Sequence, residues 1–400
     1  MKKIILSAAS LAVAAVASVS VAPTTSEAVP AFARQTGAAC LNCHFQTIPR
    51  LAAMGREFRM NAFRDTSQDL LEDDHLSLPA FFNASLLTKA RISSGSGDLP
   101  KGGAVGTADT GVQWPDESAL LFGGRISEHA GGFQEWDVIS GEMLGGKFAY
   151  VMDLDSGIIG IAVGTTDALG APSIFNDPSN AISRNLRGVQ TRAQALRGGV
   201  LHGGATGLGV YGYMADSIYF AAGLITPAGG YAAGNGGVEM MDSPYLRAAY
   251  LADIAGFDTI IGVTYASVTP VNPVATNQTN AKADVQAVVD VQMQGEVGDM
   301  SIGFYMPIIV GGVGATNYTG AMPYVNIGLS HAAGVRLGYD FATSDDANTG
   351  DFSNVILGGW YDLAQNVVLD LEINVKDTAA KGTSKAVAGT ETTLMLEYVF

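Results

Sequence analysis

The most regular feature of the chain is a strict alternation of apolar and polar side chains along several stretches. Over 284–294 the odd positions are Val, Ala, Val, Val and Met, whereas most even positions are Asp or Gln. Positions 257–265, 334–341 and 367–376 repeat this period of two. Because successive side chains of a strand point to opposite faces of a sheet, the pattern predicts strands with one apolar and one polar face.

The connections between these strands sort by length. Short turns are predicted at 129–132, 153–157, 214–217, 253–256, 296–299, 331–334 and 362–366. Longer connections are predicted between the resulting pairs, at 93–117, 141–145, 166–206, 227–244, 268–283, 310–321, 343–351 and 377–390. Counting strands by this rule gives sixteen over 76–400. An even number with short turns on one side and long loops on the other is typical of bacterial outer-membrane barrels, with both termini in the periplasm.

A soluble sandwich also alternates, but it has no reason to sort its loops by length. The sequence therefore predicts a mainly β fold, a 16-stranded antiparallel transmembrane β-barrel in the outer membrane. The terminal Phe400 closes a last alternating strand, which resembles the assembly signal of such barrels. Composition agrees, because 50 of 400 residues are Gly and only 15% are charged. A net charge of −16 argues against a nucleic-acid partner, which would require a basic surface.

The first 28 residues are predicted to be a secretory signal peptide. Lys2 and Lys3 precede an apolar stretch that runs to about position 22, and the small residues Ser26 and Ala28 mark a candidate cleavage site. The alternative is a membrane anchor. An export signal indicates a periplasmic or more distant destination.

Both cysteines of the chain fall in one motif, Cys40-Leu41-Asn42-Cys43-His44. C-x-x-C-H is the attachment pattern of a c-type haem, in which the two thiols bind the haem edge and the histidine binds the iron. A redox dithiol needs no following histidine, and a zinc site would need further ligands at metal spacing. The motif therefore predicts one covalent haem c bound by Cys40, Cys43 and His44, with His44 as the proximal iron ligand.

Residues 29–75 are predicted to form a small monohaem cytochrome domain that plugs the lumen of the barrel. A single helix is expected from position 48 to about 63, with Arg50, Arg56, Arg59 and Arg64 outside its apolar face. A domain of this size rarely folds without a staple or a partner surface. His75 is the first candidate for the distal iron ligand, Met60 and Met54 are alternatives, and the absence of any protein ligand is a further alternative.

Two features concern the lumen. The connection 166–206 carries four arginines in an acidic chain, namely Arg184, Arg187, Arg192 and Arg197. By resemblance to general porins this loop is expected to fold inward, and an ordinary surface loop is the alternative. Carboxylates occupy the predicted inward faces and would concentrate cations there, namely Asp258, Asp284, Asp290, Glu296, Asp340, Asp370, Glu372 and Glu397.

Positions 29–90 resemble a known family. The run 30–37, the C-x-x-C-H motif, the following Phe45-Gln46, and the motifs at 49–51 and 55–58 are similar to the fused outer-membrane cytochrome–porins of iron-oxidising bacteria. Positions 76–79 and 83–85 look like the start of their barrel. The resemblance implies oxidation of extracellular Fe(II) and transfer of the electron through one haem to a periplasmic c-type cytochrome. It carries over Cys40, Cys43 and His44, but no iron-binding residue.

Three functions therefore stay open from the sequence. The first is an outer-membrane protein that oxidises extracellular Fe(II). The second is the same conduit with another extracellular donor, such as a mineral, an electrode or a small reductant. The third is a diffusion porin whose haem is structural.

Overall fold

A computed structural model describes residues 30–48, 50–74, 76–98, 110–141, 143–165, 175–181, 193, 195, 201, 206–226, 243–268, 284–313 and 316–400. The predicted signal peptide and His75 lie outside these residues. The helices are α1 (Pro30–Thr36), α2 (Cys40–Cys43) and α3 (Ala53–Met60). The strands are β1 (Leu70–Asp73), β2 (Leu76–Pro79), β3 (Ala84–Gly97), β4 (Thr110–Arg125), β5 (Ala130–Asp137), β6 (Met143–Leu154), β7 (Gly157–Thr165), β8 (Thr206–Met214), β9 (Ile218–Thr226), β10 (Ser243–Ile254), β11 (Phe257–Val268), β12 (Asp284–Val297), β13 (Met300–Val313), β14 (Thr316–Ala321), β15 (Tyr324–Gly328), β16 (Ala333–Ser344), β17 (Phe352–Ala364), β18 (Val367–Thr378) and β19 (Val387–Val399).

Strands β3 to β19 form one closed antiparallel barrel, in which the last strand β19 pairs with the first wall strand β3. Both β14 and β15 pair with β13 on one side and β16 on the other, so they are two halves of one wall strand. The wall therefore has sixteen strands, as the sequence predicts. Closure satisfies the backbone donors and acceptors that an open sheet edge would expose to lipid.

The interruption between β14 and β15 corrects one predicted connection. The sequence predicts a long connection over 310–321, but β13 continues to Val313 and β14 starts at Thr316. The wall strand that follows β13 is interrupted only at Met322 and Pro323, between β14 and β15, because proline has no N–H to donate to the ladder. Its carbonyl oxygen still accepts a hydrogen bond from the Tyr339 amide at 2.9 Å.

The two faces of the wall differ in chemistry. Along β12 the predicted polar positions Gln286, Asp290, Gln292 and Gln294 are buried inside the barrel. The outward positions carry apolar side chains that are exposed on the outside, including Leu246, Tyr250, Ile261, Val263, Val289 and Leu337. This apolar belt is the surface that a transmembrane barrel presents to lipid. In the period-two pattern of the sequence, the polar positions therefore face the lumen and the apolar positions face outward.

Helices α1 to α3 and their connections, 30–64, form a plug inside the lumen. Residues of two separate wall strands bind the plug: Ser85 Oγ accepts the Ala31 amide at 2.9 Å, and the Tyr211 hydroxyl donates to the Met60 carbonyl at 2.8 Å. Gly131 of β5 allows a close approach of the two backbones, because a Cβ atom there would lie 1.9 Å from the Ala62 carbonyl oxygen. The start of the first wall strand, β3, and the end of the last, β19, both lie on the side of the short turns. The chain therefore passes from the plug into the wall on that side.

The local structure differs from the expected helix over 48–63. Helix α3 is shorter, and the residues before it form a turn in which His44 pairs with Leu51 in an isolated bridge. The barrel wall begins at Ala84, after the expected boundary at 76, because Leu76–Pro79 pairs with Leu70–Asp73 in a separate hairpin. Among the described residues, no helix is long and apolar enough to span a membrane.

The described part of the long connection 166–206 lies inside the barrel. Residues 175–181 are all buried. The Ser179 hydroxyl donates to Asp290 at 2.9 Å, and the Asn180 amide donates to Gln292 at 2.8 Å. These contacts with wall strand β12 show that segment 175–181 folds inward. Arg184, Arg187, Arg192 and Arg197 lie outside the described residues.

Candidate haem site in the lumen

The two cysteines lie at the ends of the four-residue helix α2, and His44 follows directly. The His44 amide closes the turn by donating to the Cys40 carbonyl at 2.8 Å. Cys40 is buried, whereas Cys43 is partly exposed, and burial raises the pKa of the Cys43 thiol. One helical turn therefore brings both thiols and the imidazole to one place, as covalent haem attachment requires.

The orientation of His44 is fixed by its backbone surroundings. Its Nδ1 atom lies 3.1 Å from the carbonyl oxygen of Arg50. A carbonyl oxygen only accepts, so Nδ1 carries the proton and Nε2 carries the basic lone pair. A ring with this tautomer binds a metal through Nε2, and a hydrogen bond from Nδ1 to a carbonyl oxygen commonly holds such a ligand in place.

Arg50 is in turn held by the barrel wall. Its guanidinium lies over the rings of Tyr305 and Tyr324, at 5.0 Å and 5.3 Å from their centroids. The two rings are stacked, with centroids 4.9 Å apart, and Arg50 is only 1% exposed. A desolvated cation on aromatic faces is worth about 2 kcal/mol or more. The wall thereby fixes the residue that orients His44.

Helix α3 packs directly against the motif. The Ala52 amide donates to the Cys43 carbonyl at 2.9 Å just before the helix starts. At Gly55, a Cβ atom would lie 2.1 Å from that same carbonyl oxygen. Only glycine permits this approach, so position 55 sets the distance between helix α3 and the motif.

A cavity of about 730 Å³, partly open to solvent, lies beside the motif. Cofactor pockets are mostly apolar. The cavity is lined by Phe32, Ala33, Thr36, Ala38, Cys43, His44, Ile48, Leu51, Gly55, Phe58, Arg59, Phe63 and Phe133. Phe32 packs on the Phe58 and Phe63 rings at centroid distances of 5.2 Å and 5.5 Å. Plug and wall together thus supply an apolar chamber with one imidazole and one thiol on its lining.

Arg59 brings the positive charge of a guanidinium to this lining. It is 4% exposed, and its Nε and Nη2 atoms have no hydrogen-bond partner in the part of the chain that the structure describes. Desolvation lowers the pKa of its guanidinium to about 10. A haem is a large apolar ring with two carboxylates, so the chamber and this cation fit the group. No three His, Cys, Asp or Glu side chains within the described ranges are arranged to hold a bare metal ion.

The two methionine candidates for the distal ligand do not line this cavity. Met54 is 43% exposed on helix α3. Met60 is buried, but it belongs to the large apolar cluster that includes Tyr211 and Ala149. Among the described residues that line the cavity, His44 is the one His or Met side chain. His75, the first candidate, lies outside the described residues.

Three of the eight predicted inward carboxylates, Asp258, Asp290 and Asp370, are paired with arginines. Arg56 of the plug binds Asp258, and Arg247 of β10 binds both Asp177 and Asp290. Arg336 lies 3.7 Å from Asp370. Asp340, Glu372 and Glu397 are also buried inside, whereas Glu296 is exposed and the Asp284 side chain is outside the description. The expected acidic lumen is therefore a network of mixed charge.

Solved structures share this architecture. The outer membrane channel DcaP of Acinetobacter baumannii aligns with a TM-score of 0.52 and 12% identity, over 80% of this chain and 96% of that one. In-vitro folded OmpT, an outer membrane protein of Vibrio cholerae, aligns with a TM-score of 0.50 and 13% identity, over 83% of this chain and all of OmpT (100%). The chain has an outer-membrane porin fold. No family model and no curated protein matches the sequence.

Several site residues escape sequence reasoning. Phe133, Tyr305 and Tyr324 reach the plug from strands that lie far away along the chain. Their only local signal is an aromatic residue on the polar face of an alternating strand. The sequence separation of His44 and Arg50 does not predict that the Arg50 carbonyl orients His44, because this contact depends on the turn between them.

Proposed function

We propose that the protein is an outer-membrane electron-transfer protein that oxidises extracellular Fe(II) and delivers the electron to a periplasmic c-type cytochrome. The observation that carries this proposal is the position of His44 and Cys43 on one apolar cavity inside a transmembrane barrel. When bound, the haem would supply a one-electron carrier that accepts the electron lost by Fe(II).

The residues of the chain have separate tasks in this proposal. Cys40 and Cys43 would attach the group, and His44 would bind its iron in the orientation that the Arg50 carbonyl imposes. Phe32, Phe58 and their neighbours give the cavity an apolar lining. Burial and hydrogen bonding are the means by which a protein sets the potential of such a centre.

A route to the periplasm is also supported by geometry. A second space of about 400 Å³ lies on the other side of the motif, where Cys40, Leu41 and His44 face the turn between β17 and β18. That turn belongs to the side of the short turns, which in outer-membrane barrels is periplasmic. A soluble cytochrome that docks there would lie close to the attached group.

Fe(II) as the donor rests on the resemblance of positions 29–90 to the cytochrome–porins of iron oxidisers. The chemistry agrees, because ferric iron precipitates near neutral pH and its formation outside the cell protects the interior.

A diffusion porin with a structural haem fits the lumen less well. The plug and segment 175–181 occupy the interior, and the lumen residues Tyr245, Asp290 and Gln292 are at most 1% exposed. An aqueous pore requires its lining to be wet. The described lumen therefore favours a conduit for electrons over a passage for solutes.

Purified, haem-loaded protein tests the proposal. Under anoxia, Fe(II) should reduce the haem within the mixing time of a stopped-flow experiment, as seen by the sharpened α band. If only other donors reduce the haem, the conduit has a different substrate. If no donor reduces it while liposomes that contain the protein swell in small sugars, the diffusion porin is correct. A mature protein without covalent haem would overturn the proposal.

A further inference from the structure

Two buried cations meet at the boundary between plug and wall. Arg59 of helix α3 and Lys147 of strand β6 are each 4% exposed. The Nζ atom of Lys147, like Nε and Nη2 of Arg59, has no hydrogen-bond partner within the described residues. Burial of a charge without a partner is costly, so proteins rarely retain two such groups side by side.

Lys147 faces the lumen beside the cavity. On β6 the inward positions Lys147, Ala149 and Val151 are buried, whereas Phe148 and Tyr150 are exposed on the outer face. The register partner of Lys147 on β5 is Phe133, which lines the cavity together with Arg59. The charges of Arg59 and Lys147 are close enough to act on each other.

The nearest carboxylate does not satisfy this pair. Asp177 acts electrostatically on both Arg59 and Lys147, but its carboxylate forms an ion pair with Arg247. Asp177 and Asp290 both bind Arg247, which leaves no carboxylate within hydrogen-bond distance of Lys147 among the described residues. Helix α3 and strand β6 therefore bring N–H donors and positive charge to the site, and no acceptor of the described residues bonds to Lys147 Nζ.

We infer that Arg59 and Lys147 together form a binding site for a ligand with two carboxylate-like charges, and that the two propionates of the haem are this ligand. The inference rests on the proposed function for the presence of haem. Its consequence is mechanical: a group attached to the plug through Cys40 and Cys43 would also be held by the wall through Lys147. The haem would then lock the plug in the barrel.

The midpoint potential of the haem in the full-length protein is the first test. Lys147→Met keeps the length of the side chain but removes its charge, which leaves a propionate uncompensated and stabilises the ferric state. We expect a lower potential at constant pH and salt, and a smaller change with Lys147→Arg. Lys376→Met, which removes a lysine of a half-buried pair with Glu391 on other wall strands, is the matched control and should cause no shift. An unchanged potential in Lys147→Met and Arg59→Met would overturn the inference.

The sign of the stability change is the second test. In a Cys40→Ala/Cys43→Ala background, which carries no covalent haem, Lys147→Met should raise the urea midpoint because it removes an unpartnered buried charge. In the haem-loaded protein the same substitution should lower that midpoint. The same sign in both backgrounds would show that no ligand pairs with Lys147.

A free dianion such as inorganic phosphate carries the same kind of charge as the propionates and is the alternative ligand for Arg59 and Lys147. If inorganic phosphate raises the urea midpoint of the haem-free protein, and Lys147→Met abolishes this effect while the potential of the loaded protein is unchanged, the pair is a phosphate site and the propionate assignment fails. The haem content of the wild-type protein distinguishes failure of the propionate assignment from failure of the proposed function. If the wild-type protein carries reducible haem, the proposed function stands even when the propionate assignment fails.

Discussion

The carbonyl oxygen of Arg50 accepts the hydrogen bond from Nδ1 of His44 at 3.1 Å, and the guanidinium of the same arginine lies over two tyrosines of the barrel wall. The imidazole is thus oriented by the wall through one intermediate residue. A plug of this size does not have to be rigid by itself, since the barrel provides the surface that it lacks.

Arg50→Met should therefore disturb both stability and the haem. Loss of the cation–π contacts with Tyr305 and Tyr324 should cost about 2 kcal/mol in the free energy of unfolding. The haem should show a broadened Soret band, because the turn that positions His44 loses its anchor. Arg34→Met is the control, because Arg34 is exposed on helix α1 and donates only to the Ala84 carbonyl. A sharp, native Soret band in Arg50→Met would contradict the proposed support of His44.

Gly55→Ala should impair haem attachment. The new Cβ atom would lie 2.1 Å from the Cys43 carbonyl oxygen, so helix α3 must move away from the motif. Overpacking of this kind costs about 1–3 kcal/mol. Haem staining of the purified protein should fall, whereas Glu57→Ala, an exposed substitution on the same helix, should leave it unchanged. Equal staining of both variants would show that the close approach is not needed.

Asp290→Asn should loosen the inward segment 175–181. It removes one carboxylate from Arg247 and weakens the acceptor of the Ser179 hydroxyl. Loss of one partner of a buried ion pair costs about 3 kcal/mol. Single-channel conductance in planar bilayers should rise, and Asp299→Asn at an exposed turn should not change it. Conductance equal to that of the wild type would mean that segment 175–181 is held by other contacts.

Spectroscopy of three variants should identify the distal iron ligand. Met54 is exposed and Met60 packs in a different apolar cluster, so Met54→Leu and Met60→Leu should leave the haem spectrum unchanged. His75→Ala should convert a low-spin spectrum to a high-spin one, because His is a common axial ligand of such haems. A spin-state change in Met60→Leu alone would assign the methionine instead.

The wall was predictable because its information is local. The alternation over 284–294 and 367–376 reappears as strands β12 and β18, with the polar positions inside. The prediction failed at 310–321, where several glycines suggest a loop but neighbouring strands continue the ladder to Val313. Glycine lowers strand propensity, yet pairing on both sides of a barrel overrides it.

The motif was predictable and its surroundings were not. C-x-x-C-H fixes three residues by spacing, and the structure places Cys43 and His44 on the cavity. Lys147 is an ordinary lysine in the sequence, and its importance emerges only when β6 closes around the plug. The inward carboxylates were predicted by strand parity, but their arginine partners come from other strands and from the plug.

Electron transfer across a sealed bilayer tests the central claim most directly. The haem-loaded protein would be reconstituted in liposomes that contain a soluble c-type cytochrome, and Fe(II) would be added outside under argon. The account predicts that the enclosed cytochrome is reduced with the wild-type protein and remains oxidised with Cys40→Ser/Cys43→Ser. Reduction at equal rates with both proteins, or none with a wild-type protein whose own haem is reduced by Fe(II), would contradict the account.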